Sequence, residues 1–413
     1  MLICGNRGLL IIIVSMFAGC FFLTRCNTSE KKVSSGPLQY AEFTGSAACA
    51  KCHQDIFEKN SQTGHFLTSA IAKQDLIKGS FETGKNEYHF TPISSVKMEK
   101  RNDSLLQVEY IMGKQKDDGK IDIVVGSGKK GQSYLSWKHN SLVQLPVTFF
   151  TPESTWTSSP GFQARKIAFN RVVTSRCLEC HGTFFDITSQ QGQHPEEFDR
   201  KNTVYGVDCE RCHGPGKEHV DFHLNNPEAK EAKYIVNTGN MSRQLKLDLC
   251  ALCHQGGINK TKPSFSFKAG DNLLDYFVHS NIPLQTGGID VHGNQLGLLS
   301  QSKCFTSSDM TCQSCHSVHE KEQGKTLVFS QRCMTCHTEG KSKLCGLTTT
   351  MGSIINNNCI DCHMPFQQSH SIAVYTEGAD VPTPVKMRTH YVAIYKDEAN
   401  KMREFLKSGH DKK

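Results

Sequence analysis

The sequence predicts a mainly α-helical and irregular fold that contains one small antiparallel β insertion. Two observations support this prediction. The five-residue motif Cys-X-X-Cys-His occurs seven times, and from Cys177 onward its copies follow one another every 21 to 62 residues. That spacing is too short for separate domains with cores of their own. Between the first and second copies, apolar and polar residues alternate, which is typical of half-buried strands.

The Cys-X-X-Cys-His motif has a specific chemical use. Two thiols three positions apart form thioethers with the two vinyl groups of one haem, and the adjacent histidine binds the iron on one side of the ring. A random chain with 19 Cys and 19 His among 413 residues would hold only about 0.04 copies. Disulfides or zinc knuckles are the alternative, but neither explains a histidine after every pair.

The motifs, numbered 1 to 7 along the chain, therefore predict seven covalently attached haem c groups. The cysteines that would hold them are Cys49, Cys52, Cys177, Cys180, Cys209, Cys212, Cys250, Cys253, Cys312, Cys315, Cys333, Cys336, Cys359 and Cys362. The proximal iron ligands are His53, His181, His213, His254, His316, His337 and His363. Because a haem buries far more apolar surface than a side chain, a chain with 37% hydrophobic residues can collapse around seven of them. The fold class is thus a multihaem cytochrome c fold.

Residues 1–19 predict a signal peptide of the lipoprotein type. Arg7 precedes an apolar run that is short for a transmembrane helix. Residues 17–20, Phe-Ala-Gly-Cys, resemble a lipoprotein box that makes Cys20 the lipidated first residue. An uncleaved anchor helix over residues 9–23 and simple cleavage are the alternatives. All three place the chain outside the cytoplasmic membrane, so we expect it in the periplasm or cell envelope, anchored to a membrane through Cys20.

The rest of the chain divides into five segments. They are a polar tether at 20–40, the motif 1 segment at 41–84, the β-rich insertion at 85–165, motifs 2–4 at 166–275 and motifs 5–7 at 276–413. In the insertion, Leu106, Val108 and Tyr110 alternate with Leu105, Gln107 and Glu109 and predict a strand. Pro146 indicates an edge strand or a bulge.

Few cysteines lie outside the motifs. Cys4 lies in the predicted signal peptide, and Cys20 and Cys26 lie in the tether. Cys304 and Cys345 can form a disulfide in an oxidising compartment. Free buried thiols are the alternative for this pair.

The formal net charge of +7 does not predict a nucleic-acid partner. Seven haems would add fourteen propionate carboxylates, which outweigh this charge. Lysine and arginine side chains are needed to neutralise those carboxylates. We therefore expect no nucleic acid among the partners of this chain.

Several segments resemble the cytochrome c-554 and hydroxylamine oxidoreductase superfamily. Gly206 to His219, Gly-Val-Asp-Cys-Glu-Arg-Cys-His-Gly-Pro-Gly-Lys-Glu-His, is similar to a haem segment in which the last histidine binds a neighbouring haem. Cys312 to His319 and Cys359 to Pro365 resemble other haem segments of that superfamily. The β segment around Trp156 resembles uncharacterised multihaem relatives. The resemblance covers most of the chain between residues 41 and 395 and implies a multihaem c-type cytochrome.

Three departures from the superfamily argue against an enzyme. Pentahaem nitrite reductases carry a lysine in place of the proximal histidine of their catalytic motif, whereas all seven motifs here end in histidine. Octahaem oxidoreductases have one more haem. We also identify no counterpart of the tyrosine that cross-links their active-site haem.

The histidines outside the motifs decide whether an iron is saturated or open to substrate. The resemblance implies that His219 and His319 bind iron on the far side of the ring. His65, His370 and His390 lie near motifs or in apolar contexts, so we predict the same role for them. The contexts of His292, His194, His223 and His279 are less favourable. His219 and His223 also share a helix face, which would suit zinc, but no third ligand is apparent.

Two functional classes follow. The first is an electron-transfer protein whose closely packed, mostly bis-histidine haems work in an extracytoplasmic respiratory chain. Its redox partners would be a membrane quinol oxidase on one side and a terminal reductase or outer-surface acceptor on the other. The second is a multihaem oxidoreductase that acts on a small nitrogen or sulfur compound at one five-coordinate haem. We favour the first, which needs only the motifs and histidines that the sequence contains, and we predict no catalytic residue.

Overall fold

The computed structural model describes residues 37–280, 288–338, 340 and 343–408. Residues 38–413 form one compact unit, and residues 1–37 are assigned to another. The predicted signal peptide, Cys20 and most of the tether lie outside the described residues. Within the described ranges, every helix is too short or too polar to cross a lipid bilayer.

The described part of the chain contains twelve α-helices, none longer than twelve residues. They are α1 Ser46–Ala50, α2 Gln54–Asn60, α3 Ser175–His181, α4 Cys209–His213, α5 Lys217–Asn225, α6 Arg243–His254, α7 Gln295–Leu299, α8 Lys303–Thr306, α9 Thr326–Met334, α10 Thr348–Met351, α11 Ile360–His363 and α12 Lys396–Lys407. Short 3-10 turns include Phe66–Thr68 and Cys312–Ser314. The start of helix α6 follows from its sequence, because the Ser242 hydroxyl caps the N-terminus by accepting a hydrogen bond from the Leu245 N–H.

Seventeen strands are present in the same residues. They are β1 Ser69–Ile71, β2 Glu87–Thr91, β3 Ser94–Arg101, β4 Ser104–Ile111, β5 Lys114–Lys120, β6 Ile123–Val125, β7 Gly131–Lys138, β8 Ser141–Gln144, β9 Val147–Phe150, β10 Thr155–Ser158, β11 Arg171–Val172, β12 Gly182–Ile187, β13 Phe198–Tyr205, β14 Ile258–Lys260, β15 Phe277–His279, β16 Phe366–Val374 and β17 Thr383–Arg388.

Two antiparallel sheets contain the strands of the insertion. Strands β2–β5 form a four-stranded meander. The other sheet has seven strands in the order β1-β6-β7-β8-β11, with β9 paired to β7 and β10 paired to β9. Strand β1 follows the Phe66–Thr68 turn, so this sheet lies directly beside His65. Its pairing with β6 is antiparallel, with Ile71 opposite Ile123.

The prediction of a mainly α and irregular fold is wrong. Antiparallel strands extend well beyond the insertion as the pairs β12–β13, β14–β15 and β16–β17. The physical reason is that Cys-X-X-Cys-His requires only one helical turn. Several motif helices are therefore only four or five residues long, and the chain that follows motifs 2, 4 and 7 closes into antiparallel pairs.

Separate apolar clusters hold these parts together. One fills the insertion around Met98, Tyr134 and Trp156. A second joins helix α3 to the sheets through aromatic side chains, among them Phe184, Phe185, Phe198 and Phe265. A third surrounds α6 and includes Ala251, Leu252, Phe267, Leu273 and Phe277.

The C-terminal β16–β17 hairpin packs on the insertion. Val374 and Val385 are buried with Phe150. The phenol of Tyr88 donates a hydrogen bond to the carbonyl oxygen of Tyr375 (2.8 Å), and the N–H of Tyr375 donates to the Ser158 hydroxyl (2.9 Å). The two ends of the motif array are thereby joined through the sheets.

Candidate haem-binding sites

Every motif lies on a short helical turn. In motif 1 the N–H of His53 donates to the carbonyl oxygen of Cys49 (2.9 Å), and in motif 5 the N–H of His316 donates to Cys312 (2.9 Å). Motifs 6 and 7 have the same bond at 3.1 Å, from His337 and from His363. One helical turn places both thiols and the imidazole on neighbouring positions of one face, as attachment to a single haem requires.

No two cysteines in the described part of the chain are joined by a disulfide. Cys304 and Cys345 are both free thiols in this structure. Burial raises the pKa of the Cys304 thiol, and Cys304 lies near Cys336 of motif 6. Cys345 lies near Cys362 of motif 7. The two thiols thus accompany different motifs.

Motifs 1 and 3 are fastened together by one buried carboxylate. Glu210 of motif 3 is 3% exposed. One of its oxygens accepts hydrogen bonds from the N–H groups of Thr44 (2.9 Å) and Gly216 (2.7 Å), and the other accepts one from Gly45 (2.8 Å). Thr44 and Gly45 immediately precede α1, so Glu210 fixes the first motif helix against α4.

Motifs 2, 3 and 4 also contact one another. The guanidinium of Arg176 in α3 donates to the carbonyl oxygen of Leu252 in motif 4 (3.0 Å). The guanidinium of Arg211 in motif 3 donates to the carbonyl oxygen of Glu179 in motif 2 (3.1 Å). The thiol of Cys253 approaches that same oxygen at 3.8 Å. Three motifs from three parts of the sequence therefore meet at one place.

Motifs 5, 6 and 7 are linked to the others by similar contacts. Helix α6, which carries motif 4, packs against the Cys312–Ser314 turn of motif 5. Arg332 of α9 donates to the carbonyl oxygen of Cys315 (2.7 Å), which links motif 5 to motif 6. The N–H of Cys359 donates to the Ser330 hydroxyl (3.0 Å), which links motif 7 to α9. All seven motifs thus form one continuous contact series.

Three pairs of imidazole rings face each other across similar distances. The ring centroids of His65 and His254 are 6.1 Å apart. Those of His213 and His319 are 6.0 Å apart, with the rings inclined by 12°. Those of His316 and His390 are 6.2 Å apart, with the rings inclined by 28°.

This spacing fits an iron between each pair. A metal–nitrogen bond is about 2 Å long, and a ring centre lies about 1 Å beyond its coordinating nitrogen, so two imidazoles on one ion have centroids about 6 Å apart. Each pair combines one motif histidine with one from outside the motifs. The residues present therefore fit haem with bis-histidine ligation at motifs 3, 4 and 5.

Hydrogen bonds orient several of the motif histidines. The Nδ1 atom of His213 lies 2.9 Å from the carbonyl oxygen of Val236, and that of His363 lies 2.8 Å from Ala393. The Nδ1 atom of His254 lies 3.0 Å from Oε1 of Gln295. Such a bond fixes the ring and makes Nε2 the nitrogen that binds a metal.

Burial favours the neutral form of two of the predicted far-side ligands, His65 and His390. Burial lowers the pKa of His65 to about 4, with further lowering by His254 and His316. Burial likewise lowers the pKa of His390 to about 4, assisted by His316 and His254. Neutral imidazole is the form that binds a metal, so these histidines are ready for coordination at neutral pH.

The other two predicted far-side ligands have different surroundings. His219 lies on α5, where its Nδ1 atom is 2.8 Å from the carbonyl oxygen of Lys233 and its ring is 4.6 Å from that of His223. His370 is exposed on β16, and none of its described contacts is with a motif histidine. For both residues the role of iron ligand stays a prediction.

Sequence reasoning gave less weight to two histidines that the structure singles out. Nε2 of His223 is buried and has no hydrogen-bond partner among the described residues. Burial lowers the pKa of His181 in motif 2 to about 4, and His292 adds to this lowering. Neither residue belongs to a motif, so their positions depend on contacts that only the folded chain shows.

Two comparisons with known proteins bear on the family and the fold of this chain. Residues 151–214 match the cytochrome c554 and c-prime family. This match covers less than half of the chain and includes motifs 2 and 3. A crystal structure titled outer cell wall cytochrome OcwA is similar with a TM-score of 0.51 and 16% sequence identity. The similarity covers 81% of this chain and 79% of that one. No curated protein matches.

Both comparisons support a multihaem c-type cytochrome. The family match falls on residues that contain two motifs, and the structural match shows that the fold of most of the chain is shared with a cytochrome. A c-type cytochrome carries covalently bound haem c. The cysteines and histidines described above are the residues of this chain that would hold it.

Proposed function

We propose that this chain is a heptahaem c-type cytochrome that transfers electrons in an extracytoplasmic respiratory chain. The observation that carries the proposal is the set of three imidazole pairs at 6.0 to 6.2 Å. A haem iron that binds one imidazole on each side of the ring is saturated and has no position left for a substrate. Saturated irons are what an electron carrier needs.

The continuous contact series of the motifs supports the same function. Haem c, when bound, supplies one-electron chemistry. The chain contributes the spacing, since Glu210, Arg176, Arg332 and Ser330 each fix one motif against another. In this proposal His65 serves motif 4, His319 serves motif 3 and His390 serves motif 5, while His219 and His370 serve other motifs.

The location and partners follow from the N-terminal sequence and from the proposed function. We propose that the protein is a lipoprotein of the periplasm or cell envelope, anchored through Cys20. The similarity to a protein titled an outer cell wall cytochrome supports an extracytoplasmic location. Its redox partners would be a quinol oxidase on the donor side and a terminal reductase or external acceptor on the other side.

The rival function is an oxidoreductase that acts on a small nitrogen or sulfur compound. It requires one five-coordinate iron. If the three imidazole pairs bind iron at motifs 3, 4 and 5, that open iron must belong to one of the other four motifs. The two functions therefore differ in the number of high-spin haems in the oxidised protein.

One set of measurements on the wild-type protein separates them. The denatured protein should carry seven covalent haems, by mass and by pyridine haemochrome absorbance. Low-temperature electron paramagnetic resonance should then show only low-spin iron, and the reduced protein should bind little carbon monoxide. Six or fewer haems under abundant maturation proteins would contradict the haem count, and one full equivalent of high-spin iron would favour the oxidoreductase.

A further inference from the structure

The ring of His254 in motif 4 is held by a side chain rather than by the backbone. Its Nδ1 atom lies 3.0 Å from Oε1 of Gln295, the first residue of α7. The corresponding atoms of His213 and His363 lie 2.9 Å and 2.8 Å from backbone carbonyl oxygens. A backbone carbonyl is the same acceptor whatever the residue, whereas a side-chain amide can be exchanged for a stronger or a weaker acceptor.

The contacts of Gln295 fix the orientation of its amide. The NH₂ group donates a hydrogen bond to the carbonyl oxygen of Val291 (3.4 Å), which turns Oε1 towards His254. An oxygen beside Nδ1 requires the proton on that nitrogen, so Nε2 of His254 is the atom left to bind a metal. The backbone joins the same two segments, because the N–H of Gly256 donates to the carbonyl oxygen of Gly293 (2.8 Å).

The imidazole pair that contains His254 differs from the other two pairs in its ring angle. The rings of His65 and His254 are inclined by 60°, whereas the pairs at motifs 3 and 5 are inclined by only 12° and 28°. Two parallel imidazoles interact with the same iron dπ orbital and separate it in energy from the other one. Strongly inclined rings interact with different orbitals and bring their energies together, so the oxidised haem gives a low-spin paramagnetic resonance signal with a larger maximum g value.

We propose that Gln295 is a positioning residue for the haem attached to Cys250 and Cys253, and that it sets both the orientation and the electron density of the His254 ring. This inference rests on the proposed function, because it requires haem at motif 4 with His65 as the far-side ligand. A hydrogen bond accepted from Nδ1–H makes the imidazole more basic, which stabilises ferric iron and lowers the midpoint potential of the haem. Motif 4 contacts motifs 2 and 5, so Gln295 adjusts a haem within the contact series rather than at its end.

The first measurement identifies the signal of this haem. Low-temperature electron paramagnetic resonance of the oxidised wild-type protein should contain a low-spin signal with a large maximum g value, here called the anisotropic signal. The His65→Ala protein should lack it, because its motif 4 iron has lost the inclined ligand. If the wild-type protein carries seven low-spin haems without an anisotropic signal, this inference fails, although electron transfer by seven haems would stand.

The second measurement changes the acceptor. Gln295→Leu removes the oxygen, so the anisotropic signal should shift, and a redox titration followed at that signal should give a higher midpoint potential. Gln295→Glu keeps the reach of the side chain and supplies a charged, stronger acceptor, so the signal should be retained and its midpoint potential should fall. Both variants should keep seven covalent haems and low-spin iron.

Gln301→Leu and Gln301→Glu are the matched controls, because they make the same chemical changes at an exposed position beyond α7. They should leave the anisotropic signal and its midpoint potential almost unchanged. Potential shifts in the two Gln295 variants that equal those of the controls, or that share one direction, would overturn the positioning role and leave the proposed function standing. If Gln295→Leu does not fold, equal potentials in Gln295→Glu and Gln301→Glu would overturn it. A wild-type protein without haem at motif 4 would contradict both proposals.

Discussion

The backbone N–H of Val207 donates a hydrogen bond to the carbonyl oxygen of His65 across 2.9 Å. Val207 leads into motif 3, and the ring of His65 faces His254 of motif 4. The two backbone segments approach each other closely here. Gly206 has a φ of +68°, and a Cβ at this position would be 2.2 Å from the carbonyl oxygen of Phe66. The lead-in to motif 3 thus holds the residue whose ring lies beside the motif 4 histidine.

Replacement of His65 tests this relationship directly. His65→Ala should convert one haem from low-spin to high-spin and add about one equivalent of carbon monoxide binding to the reduced protein. His89→Ala removes a histidine from the surface of the insertion and is the control. Equal spectra for the two variants would show that His65 is not an iron ligand.

Gly206→Ala should destabilise the protein through the backbone. The side chain would force both a strained φ and a contact with Phe66, which we expect to cost roughly 1–3 kcal/mol or more in the free energy of unfolding. Gly378→Ala separates the two causes, because Gly378 has a φ of +75° with nothing within 4 Å of a Cβ. Denaturant unfolding measures both. A smaller loss at Gly206 than at Gly378 would contradict the close approach.

The carboxylate that joins motifs 1 and 3 should be essential for local stability. Glu210→Gln loses the charge and places an NH₂ group against N–H donors, which should lower the free energy of unfolding by roughly 2 kcal/mol. Glu228→Gln, at an exposed position, should change it little. Comparable unfolding midpoints for the two variants would contradict the role of Glu210.

His219 tests the resemblance to the haem segment that ends in histidine. His219→Ala should make one low-spin haem high-spin and add about one carbon monoxide site. His223 lies on the same helix with Nε2 buried and without a partner among the described residues, so His223→Ala is measured in parallel. A high-spin haem in His223→Ala alone would transfer the ligand role to His223.

The lipoprotein interpretation is tested at Cys20. Cys20→Ala should abolish lipid modification and release the protein from the membrane fraction. Mass analysis of the N-terminus and fractionation of cells measure this change. Retention in the membrane at the size of the precursor would support the anchor helix over residues 9–23 instead.

The sequence predicted the chemistry of this chain better than its fold. The motifs are local, because five consecutive residues define each haem attachment. Sequence context and resemblance also indicated His65, His319 and His390, and the structure brings each of them beside a motif histidine. Their role as iron ligands stays a prediction, which the His65→Ala variant tests for the first of them.

The parts that sequence reasoning missed depend on long-range contacts. In β4 the alternation favoured Leu106 and Tyr110, but the buried residues include Leu105 and Gln107. Gln107 is fully buried because its amide bonds both the N–H and the carbonyl oxygen of Val147. His292 is likewise held by a distant segment, because its backbone N–H donates to Asp290, whose carboxylate also accepts from the N–H of Ser371 in the β16–β17 hairpin.

The contact between motifs 1 and 3 has a consequence for how the protein is made. Thr44 and Glu210 are 166 residues apart in sequence, and motif 2 lies between them. A chain exported with its N-terminus first presents its first Cys-X-X-Cys-His turn long before the surface that covers it has left the membrane. During such an export, motif 1 would be open to haem attachment before the segment that carries Glu210 could pack on it.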